Sequence, residues 1–322
     1  MIGQSMGIKS LVLALILAPI IYQPGLGSPQ RNRGTTFEPE GGPKTTTKRS
    51  TATRGRQPAQ SRGADYYHAL AARLYDQKKY AEAEVAYKKA ISINPNEAKY
   101  YNDIGNARYH QKKYAEAEAA FRKAIDIDPN NANYHDGLGL ALEFQGMYAE
   151  AEGAFRKAIT INPNEETYHN DLGYALENQA RYAEAESAYR EGLRLNPNSP
   201  IILNNLGYNL IQRNERLTEA LEMIQRAVNA EPYNAAYLDS LGWAYFKLDR
   251  FKEAERYLSQ SVQRDDRSSE TYEHLGDLYN KTHKSSLALR AWRRSLSLAP
   301  SAERAGRLRA KISGMTGSNK RM

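Results

Sequence analysis

The stretch that decides the fold is YAEAEVAYKKAISINPN, which begins at Tyr80. Nearly the same string returns as YAEAEAAFRKAIDIDPN from Tyr114 and as YAEAEGAFRKAITINPN from Tyr148, each 34 residues after the previous copy. Apolar residues recur in each copy at helical spacing, and each copy closes with a proline, which cannot continue a helix. A 34-residue period is typical of a pair of helices stacked on the next pair. The sequence therefore predicts an all-α solenoid.

The same period extends over 64–302 and divides this range into seven units. These units are 64–97, 98–131, 132–165, 166–199, 200–234, 235–268 and 269–302, and the fifth has one extra residue within 213–217. The eighth position of six units is glycine: Gly105, Gly139, Gly173, Gly207, Gly242 and Gly276. The twentieth position, shifted by one in the fifth unit, is alanine throughout. Small residues at both positions allow the two helices of a unit to pack closely.

This pattern resembles the tetratricopeptide repeat family, in which W-x2-L-G-x2-Y is followed by Ala, an aromatic residue and Pro. Large residues fill the aromatic position here: Tyr87, Phe121, Phe155, Tyr189, Ile224, Leu258 and Trp292. The resemblance implies a right-handed superhelical solenoid whose first helices line a concave groove. It is specific for the fold and much less so for function, because the family is a scaffold with many functions.

Both ends of the chain lie outside the repeats. An apolar run from Leu11 to Ile21 follows Lys9, and Gly25 to Gly27 offer a small-x-small cleavage site, so residues 1–27 are predicted to be a signal peptide. Residues 28–63 are rich in Pro, Gly, Thr and Arg, which is typical of a disordered basic linker. We expect an exported protein in the periplasm or another extracytoplasmic compartment, with a plastid as the alternative.

Residues 303–322 are predicted to form a capping helix and a basic tail, because a repeat array needs a polar end. In this helix we expect Ala305, Leu308 and Ile312 to face the array, and Arg304, Arg307, Arg309 and Lys311 to face solvent.

The net charge of +8 is unevenly distributed, with +6 in 28–63, +5 in 303–322 and −4 in 64–302. A mildly acidic body is a poor nucleic-acid surface, so no nucleic-acid partner is expected. The basic linker could contact an anionic polymer or lipid, and an envelope-tethering protein is the alternative function. Within the body, Glu84 and Lys88 begin a series of i,i+4 pairs that recurs in the next three units.

No motif in the sequence predicts catalysis, a cofactor or a metal. The chain has no cysteine, which excludes disulfides and thiolate sites, and it contains no Walker loop, G-x-G-x-x-G, G-x-S-x-G or H-E-x-x-H. His135 and His169 share the fourth position of adjacent units, but no third ligand recurs with them, so packing is favoured over ligation. We therefore expect a non-catalytic protein that binds protein or peptide segments.

The family resemblance places ligand binding on the concave groove. The fifth and sixth positions form a series of amides and carboxylates suited to hydrogen-bonding a peptide backbone, and three successive units carry an aromatic residue at the ninth position. The candidate binding residues are Asn170, Tyr174, Asn204, Asn205, Tyr208, Asp239, Trp243 and Phe246. The alternative is that the asparagines are generic and the aromatic residues pack between units. Because the fifth and sixth positions hold no Lys or Arg, acidic C-terminal tails are not expected as ligands.

Overall fold

The computed structural model describes residues 59–299 and 301–318. The predicted signal peptide and nearly all of the predicted linker lie outside these residues. The described part consists of fifteen helices and contains no strand. These are α1 (Ala59–Asp76), α2 (Tyr80–Ile93), α3 (Ala98–His110), α4 (Tyr114–Ile127), α5 (Ala132–Glu143), α6 (Tyr148–Ile161), α7 (Glu166–Glu177), α8 (Tyr182–Leu195), α9 (Pro200–Gln212), α10 (Leu217–Ala230), α11 (Ala235–Lys247), α12 (Phe251–Arg264), α13 (Ser269–Lys281), α14 (Ser285–Leu298) and α15 (Ala302–Ser318).

Successive helices pack in pairs from α1–α2 to α13–α14, and each pair packs on the next. The predicted all-α solenoid of seven helical pairs is thereby confirmed. None of the helices in 59–299 and 301–318 has the length and apolar character needed to cross a bilayer.

The close crossing inside each unit depends on the glycine at the eighth position. A Cβ added to Gly173 would lie 2.6 Å from the ring of Tyr189, and one added to Gly207 would lie 2.6 Å from Ile224. The alanine of the twentieth position, for example Ala185, is completely buried. Both small residues therefore leave room for the large residue that fills the space between the two helices.

In each unit the fifteenth residue lies in the turn between the two helices and has a left-handed backbone conformation. This residue has a φ between 55° and 79° in every unit: Lys78, Lys112, Gly146, Ala180, Asn214, Asp249 and His283. Gly146 is the one glycine among them, and a residue with a side chain pays roughly 1–2 kcal/mol in this conformation. The extra residue of the fifth unit adds a second left-handed position, Arg216, with φ 45°.

Glutamates at the twenty-first position connect each unit to the next. Within its own helix Glu84 pairs with Lys88 at 2.8 Å, as the i,i+4 spacing predicts. It also accepts hydrogen bonds from Arg108 at 3.2 Å and Lys113 at 2.9 Å, both in the second unit. Burial raises the pKa of Glu84, but these donors outweigh it and hold the pKa at about 2. These glutamates therefore do more than solubilise the outer helices.

Two of the equivalent glutamates show how the connection varies along the array. Glu186 lies 2.7 Å from Arg213 and 2.5 Å from Arg216, and these donors lower its pKa to about 2 against the effect of burial. At the equivalent junction of units two and three, the donor to Glu118 is the neutral side chain of Gln145, at 2.8 Å. Among the described residues, the junction of units two and three thus lacks an ion pair to this glutamate, and Arg122 lies 3.4 Å from Glu150 across it.

The C-terminal helix α15 packs on the last unit through Leu308, which is fully buried beside Trp292. The expectation that all four of its cations face solvent is wrong for two of them. Arg304 is only 7% exposed, and the ammonium of Lys311 lies 2.7 Å from Asp277 on α13. The reason is that α15 packs on α14, and from there the side chains of Arg304 and Lys311 reach the acidic residues of α13 rather than water.

Candidate functional site

A cavity of about 230 Å³ lies on the concave side of units four to seven. It is lined by residues of α7, α9, α11 and α13, with Tyr182 at the start of α8 and α15 at one end. First helices of successive units lie side by side, so equivalent positions from neighbouring repeats meet on one surface. The helix pairs of the fold therefore bring residues from α7 to α15 around one space.

The predicted aromatic residues occupy this region. Tyr174, Tyr208 and Trp243 line the cavity, each from the ninth position of its unit. Phe246 stacks on Trp243, with ring centroids 4.5 Å apart and planes 7° from parallel. Trp243 also stacks on His274 at 4.1 Å, and its Nε1 has no hydrogen-bond partner among the described residues. The aromatic residues therefore pack with their neighbours and also form the wall of an open space.

The predicted polar residues behave differently. Asn205 lines the cavity, but Asn170, Asn204 and Asp239 are no more than 7% exposed. Asn205 donates from Nδ2 to Oδ1 of Asn170 at 2.9 Å, and Nδ1 of His274 lies 3.1 Å from the carboxylate of Asp239. These contacts join residues 35 positions apart, so in the structure the polar series bonds unit four to unit five and unit six to unit seven.

The structure adds carboxylates that the list of candidates left out. Glu177 lies at the twelfth position of unit four, and Glu270 lies at the second position of unit seven. Tyr208 donates its hydroxyl to Oε1 of Glu270 at 2.6 Å. The family resemblance implies that the second and twelfth positions of each unit also face the groove, together with the fifth, sixth and ninth. Applying all five positions to every unit would have identified both residues. They were missed because glutamate is abundant on the outer helices, where it is ordinary helix surface.

Cations from α15 lie at one end of the cavity. Arg304 lies 3.6 Å from Glu273, and Lys311 donates to Glu273 at 2.9 Å and to Asp277 at 2.7 Å. Burial raises the pKa of Glu273, but Lys311 and Arg304 outweigh it and hold the pKa below the ordinary value. Sequence reasoning placed no cation at the fifth and sixth groove positions, and these cations come from outside the repeats.

The buried pair of Asp239 and His274 carries charge beneath Trp243. Burial lowers the pKa of His274, but the carboxylate of Asp239 outweighs this and raises the pKa above the ordinary histidine value. Nothing among the described residues resembles a metal site, since no three His, Cys, Asp or Glu side chains cluster suitably. His135 and His169 lie with Nε2 at 2.9 Å and 3.3 Å from the carbonyls of Pro129 and Pro163.

Family models match much of the repeat region. Models described as tetratricopeptide repeat match residues 96–164, 170–235 and 234–264, and one described as TPR repeat matches 71–112. The TPR repeat-containing protein PA4667 of Pseudomonas aeruginosa is 40% identical over 68 residues, which are 21% of this chain and 11% of that protein. The chain therefore matches about a tenth of the length of this curated relative.

Solved structures of similar shape include a tetratricopeptide repeat protein and a hetero-tetramer. The structure of the APC/C hetero-tetramer Cut9–Hcn1 superimposes with a TM-score of 0.66 at 20% identity, covering 78% of this chain and 49% of that one. A tetratricopeptide repeat protein from Parabacteroides merdae gives 0.64 at 14% identity, covering 79% and 99%. Pseudomonas aeruginosa pilF gives 0.54 at 19% identity, covering 66% and 97%. At these identities the likeness shows the fold alone.

Proposed function

We propose, from the premise that the chain belongs to the tetratricopeptide repeat family, that it is a non-catalytic scaffold which holds a segment of a partner protein in its concave groove. Proteins of this family are generally interaction scaffolds, and the groove of units four to six is the part of this chain that we assign to binding. The expected contacts run along α7, α9 and α11.

The observation that carries this proposal is the cavity walled by Tyr174, Tyr208 and Trp243. Aromatic side chains on a concave surface are typical anchors for a bound chain, because they bury a large area at a low cost in conformational entropy. The unpartnered Nε1 of Trp243 supplies a donor for a backbone carbonyl of such a segment.

The test replaces Tyr208 and Trp243 by Ala and compares crosslinking pull-downs of the variant and the unchanged protein. Truncating a buried anchor typically costs 2 kcal/mol or more, which is roughly thirtyfold in affinity. Circular dichroism and melting should show that the variant remains folded. Tyr233→Ala is the matched control, because Tyr233 is an aromatic residue that is 70% exposed outside the cavity.

Loss of one or more partners in the double variant, with retention in Tyr233→Ala, is the expected result. If every partner is captured equally by the folded double variant, the aromatic residues serve packing and the binding surface lies elsewhere.

We further propose that the protein acts outside the cytoplasm. The support is the signal-like pattern of residues 1–27, with its apolar run from Leu11 to Ile21. Mass spectrometry of the protein from its native source should find a new N-terminus between residues 23 and 30. Soluble cytoplasmic protein that retains Met1 would contradict export.

A further inference from the structure

The cavity of units four to seven has room for one side chain rather than for a whole peptide. Its volume of about 230 Å³ is below the roughly 300–1,000 Å³ of pockets that enclose drug-sized molecules. A segment lying along the groove would therefore place a single residue in it. The chemistry of the lining decides which residue that is.

Carboxylates outnumber the available cations in this lining. Lys311 and Arg304 pair with Glu273 and Asp277, and Arg304 lies 3.9 Å from one oxygen of Glu270. Arg307 lines the cavity with Arg304, and it is exposed and lies 3.1 Å from Glu303 on its own helix. Among the described residues, no ion pair includes Glu177. The lining thus contains two acidic side chains, Glu177 and Glu270, to which no cation of the described residues donates a hydrogen bond.

The two carboxylate oxygens of Glu270 differ in their hydrogen bonding. Glu270 is only 4% exposed, and its Oε1 accepts a hydrogen bond from the hydroxyl of Tyr208. Oε2 is buried and has no hydrogen-bond partner among the described residues. A buried carboxylate oxygen without a donor is costly, and a donor that enters the cavity would remove this cost.

Glu177 is the second carboxylate of the lining that forms no ion pair among the described residues. Burial raises its pKa to about 7, the charge of Glu270 adds to the rise, and the hydroxyl of Tyr189 offsets part of it. The Tyr189 hydroxyl donates to Oε2 of Glu177 at 3.0 Å. A cation beside this carboxylate would stabilise its charged form.

We propose that the cavity receives the cationic side chain of an arginine or lysine from the partner segment, between the carboxylates of Glu177 and Glu270 and the rings of Tyr174, Tyr208 and Trp243. This inference rests on the groove function proposed above. Aromatic faces attract a desolvated cation, and carboxylates form charge-assisted hydrogen bonds with it. An apolar side chain would leave both carboxylates buried and unpaired, and an acidic side chain would be repelled.

The experiment uses the full chain and the tripeptides acetyl-Gly-Arg-Gly-amide and acetyl-Gly-Lys-Gly-amide as probes. The matched neutral probe is acetyl-Gly-citrulline-Gly-amide, which keeps the shape of arginine without its charge. The chain has two tryptophans, so the indole N–H signal of Trp243 can be followed by NMR once Trp243→Phe has assigned it. We expect saturable shifts of this signal with a Kd on the order of 1 mM for a cationic probe. Citrulline should bind at least about tenfold more weakly.

Two variants test the counter-ions and one serves as control. Glu177→Gln and Glu270→Gln should each weaken the cationic probe by about tenfold or more. Glu143→Gln should leave binding unchanged, because Glu143 occupies the twelfth position of unit three, outside the cavity. If Glu270→Gln fails to fold, Glu177→Gln decides the question alone, because Glu177 is more exposed than Glu270.

Equal binding of citrulline and arginine probes, no saturable shift, or full binding in the folded Glu177→Gln variant would overturn the cation site. These outcomes are distinguishable from a failure of the groove function. That function fails if the pull-down is unaffected by the Tyr208 and Trp243 substitutions. It stands, without the cation site, if those substitutions abolish capture while the cationic probes do not bind.

Discussion

Units one to three and units four to seven are built on one repeat but differ on their concave side. The ninth position is Ala72, Asn106 and Leu140 in the first group, and Tyr174, Tyr208 and Trp243 in the next three units. The cavity lies entirely in the second group and in α15. Positions that both groups share, such as the glycine at the eighth, keep the helices packed. Positions that differ between the groups make the cavity.

The two groups should therefore respond alike to damage in the shared positions and differently to changes in the cavity. The substitutions below use pairs of positions to test this separation.

The largest effect is expected from removing a large residue between the helices. Phe155 in unit three and Leu258 in unit six are both fully buried. Phe155→Ala should lower the free energy of unfolding by about 3–5 kcal/mol, and Leu258→Ala by about 2–5 kcal/mol. Urea denaturation measures both, with Val85→Ala as control because Val85 is 58% exposed. A cost for Phe155→Ala no greater than that of the control would show that this contact does not support the array.

A smaller loss is expected from filling the close crossing. Gly173→Leu should cost about 1–3 kcal/mol, because a Cβ there already lies 2.6 Å from the ring of Tyr189. Gly153→Leu is the control, since a Cβ at Gly153 meets nothing within 4 Å. Equal melting temperatures for the two variants would contradict the role assigned to the eighth position.

Lowering the pH should distinguish the contributions that Glu186 and Glu118, which occupy equivalent positions, make to the stability of the protein. The pKa of Glu186 is lowered from 4.5 to about 2, so its contribution is complete above the unfolded value and is lost as pH falls towards 2. Glu186→Gln should therefore destabilise the protein at pH 7 by roughly 1–2 kcal/mol, and this difference should shrink steadily below pH 4.5. Denaturation at a series of pH values measures it.

Glu118→Gln should cost less at pH 7, because Glu118 receives only Gln145 from the following unit. A loss as large as that of Glu186→Gln would show that the inter-unit arginines contribute nothing.

The smallest effects are expected at two glycines of unit three, one in the turn and one in helix α6. Their replacement by alanine should change the stability of the protein in opposite directions. Gly146→Ala forces a side chain into a residue with φ 79° and should cost about 1 kcal/mol, although a Cβ there meets no neighbouring atom. Gly153→Ala lies in helix α6 and should gain about 0.5–1 kcal/mol. Melting curves that move in the same direction would contradict a purely conformational effect.

The fold could be predicted because its causes recur every 34 residues. Gly173 and Ala185 mark a close crossing in the sequence itself, and their equivalents in the other units confirm it. The left-handed turn residue could not be predicted, because six of the seven units have a residue other than glycine there. The backbone conformation there is imposed by the packing of the two helices and not by the residue.

The candidate site could be predicted only in part. The aromatic wall was found because Tyr174, Tyr208 and Trp243 depart from the repeat at one position. Glu270 was missed because its type is common on outer surfaces, although both its second position in the unit and its burial distinguish it. The inward placement of Arg304 depends on how α15 packs on the last unit, and a helix that occurs once has no repeat to reveal that packing.

The glutamates that connect successive units have a consequence for how the array bends. An ion pair joins Glu152 to Arg181 at 2.5 Å and Glu255 to Lys284 at 2.7 Å, as it does between units one and two and between units four and five. The corresponding residues are Met147 after unit two and Leu221 in unit five, so the series is interrupted twice. Arg122 and Glu150 still form an ion pair across the first interruption, at 3.4 Å, so only the joint between units five and six has no ion pair among the described residues. Added salt should therefore soften the other joints and leave this joint unchanged. The cavity spans this joint, so the width of its mouth is coupled to bending at a point that no ion pair of the described residues stabilises.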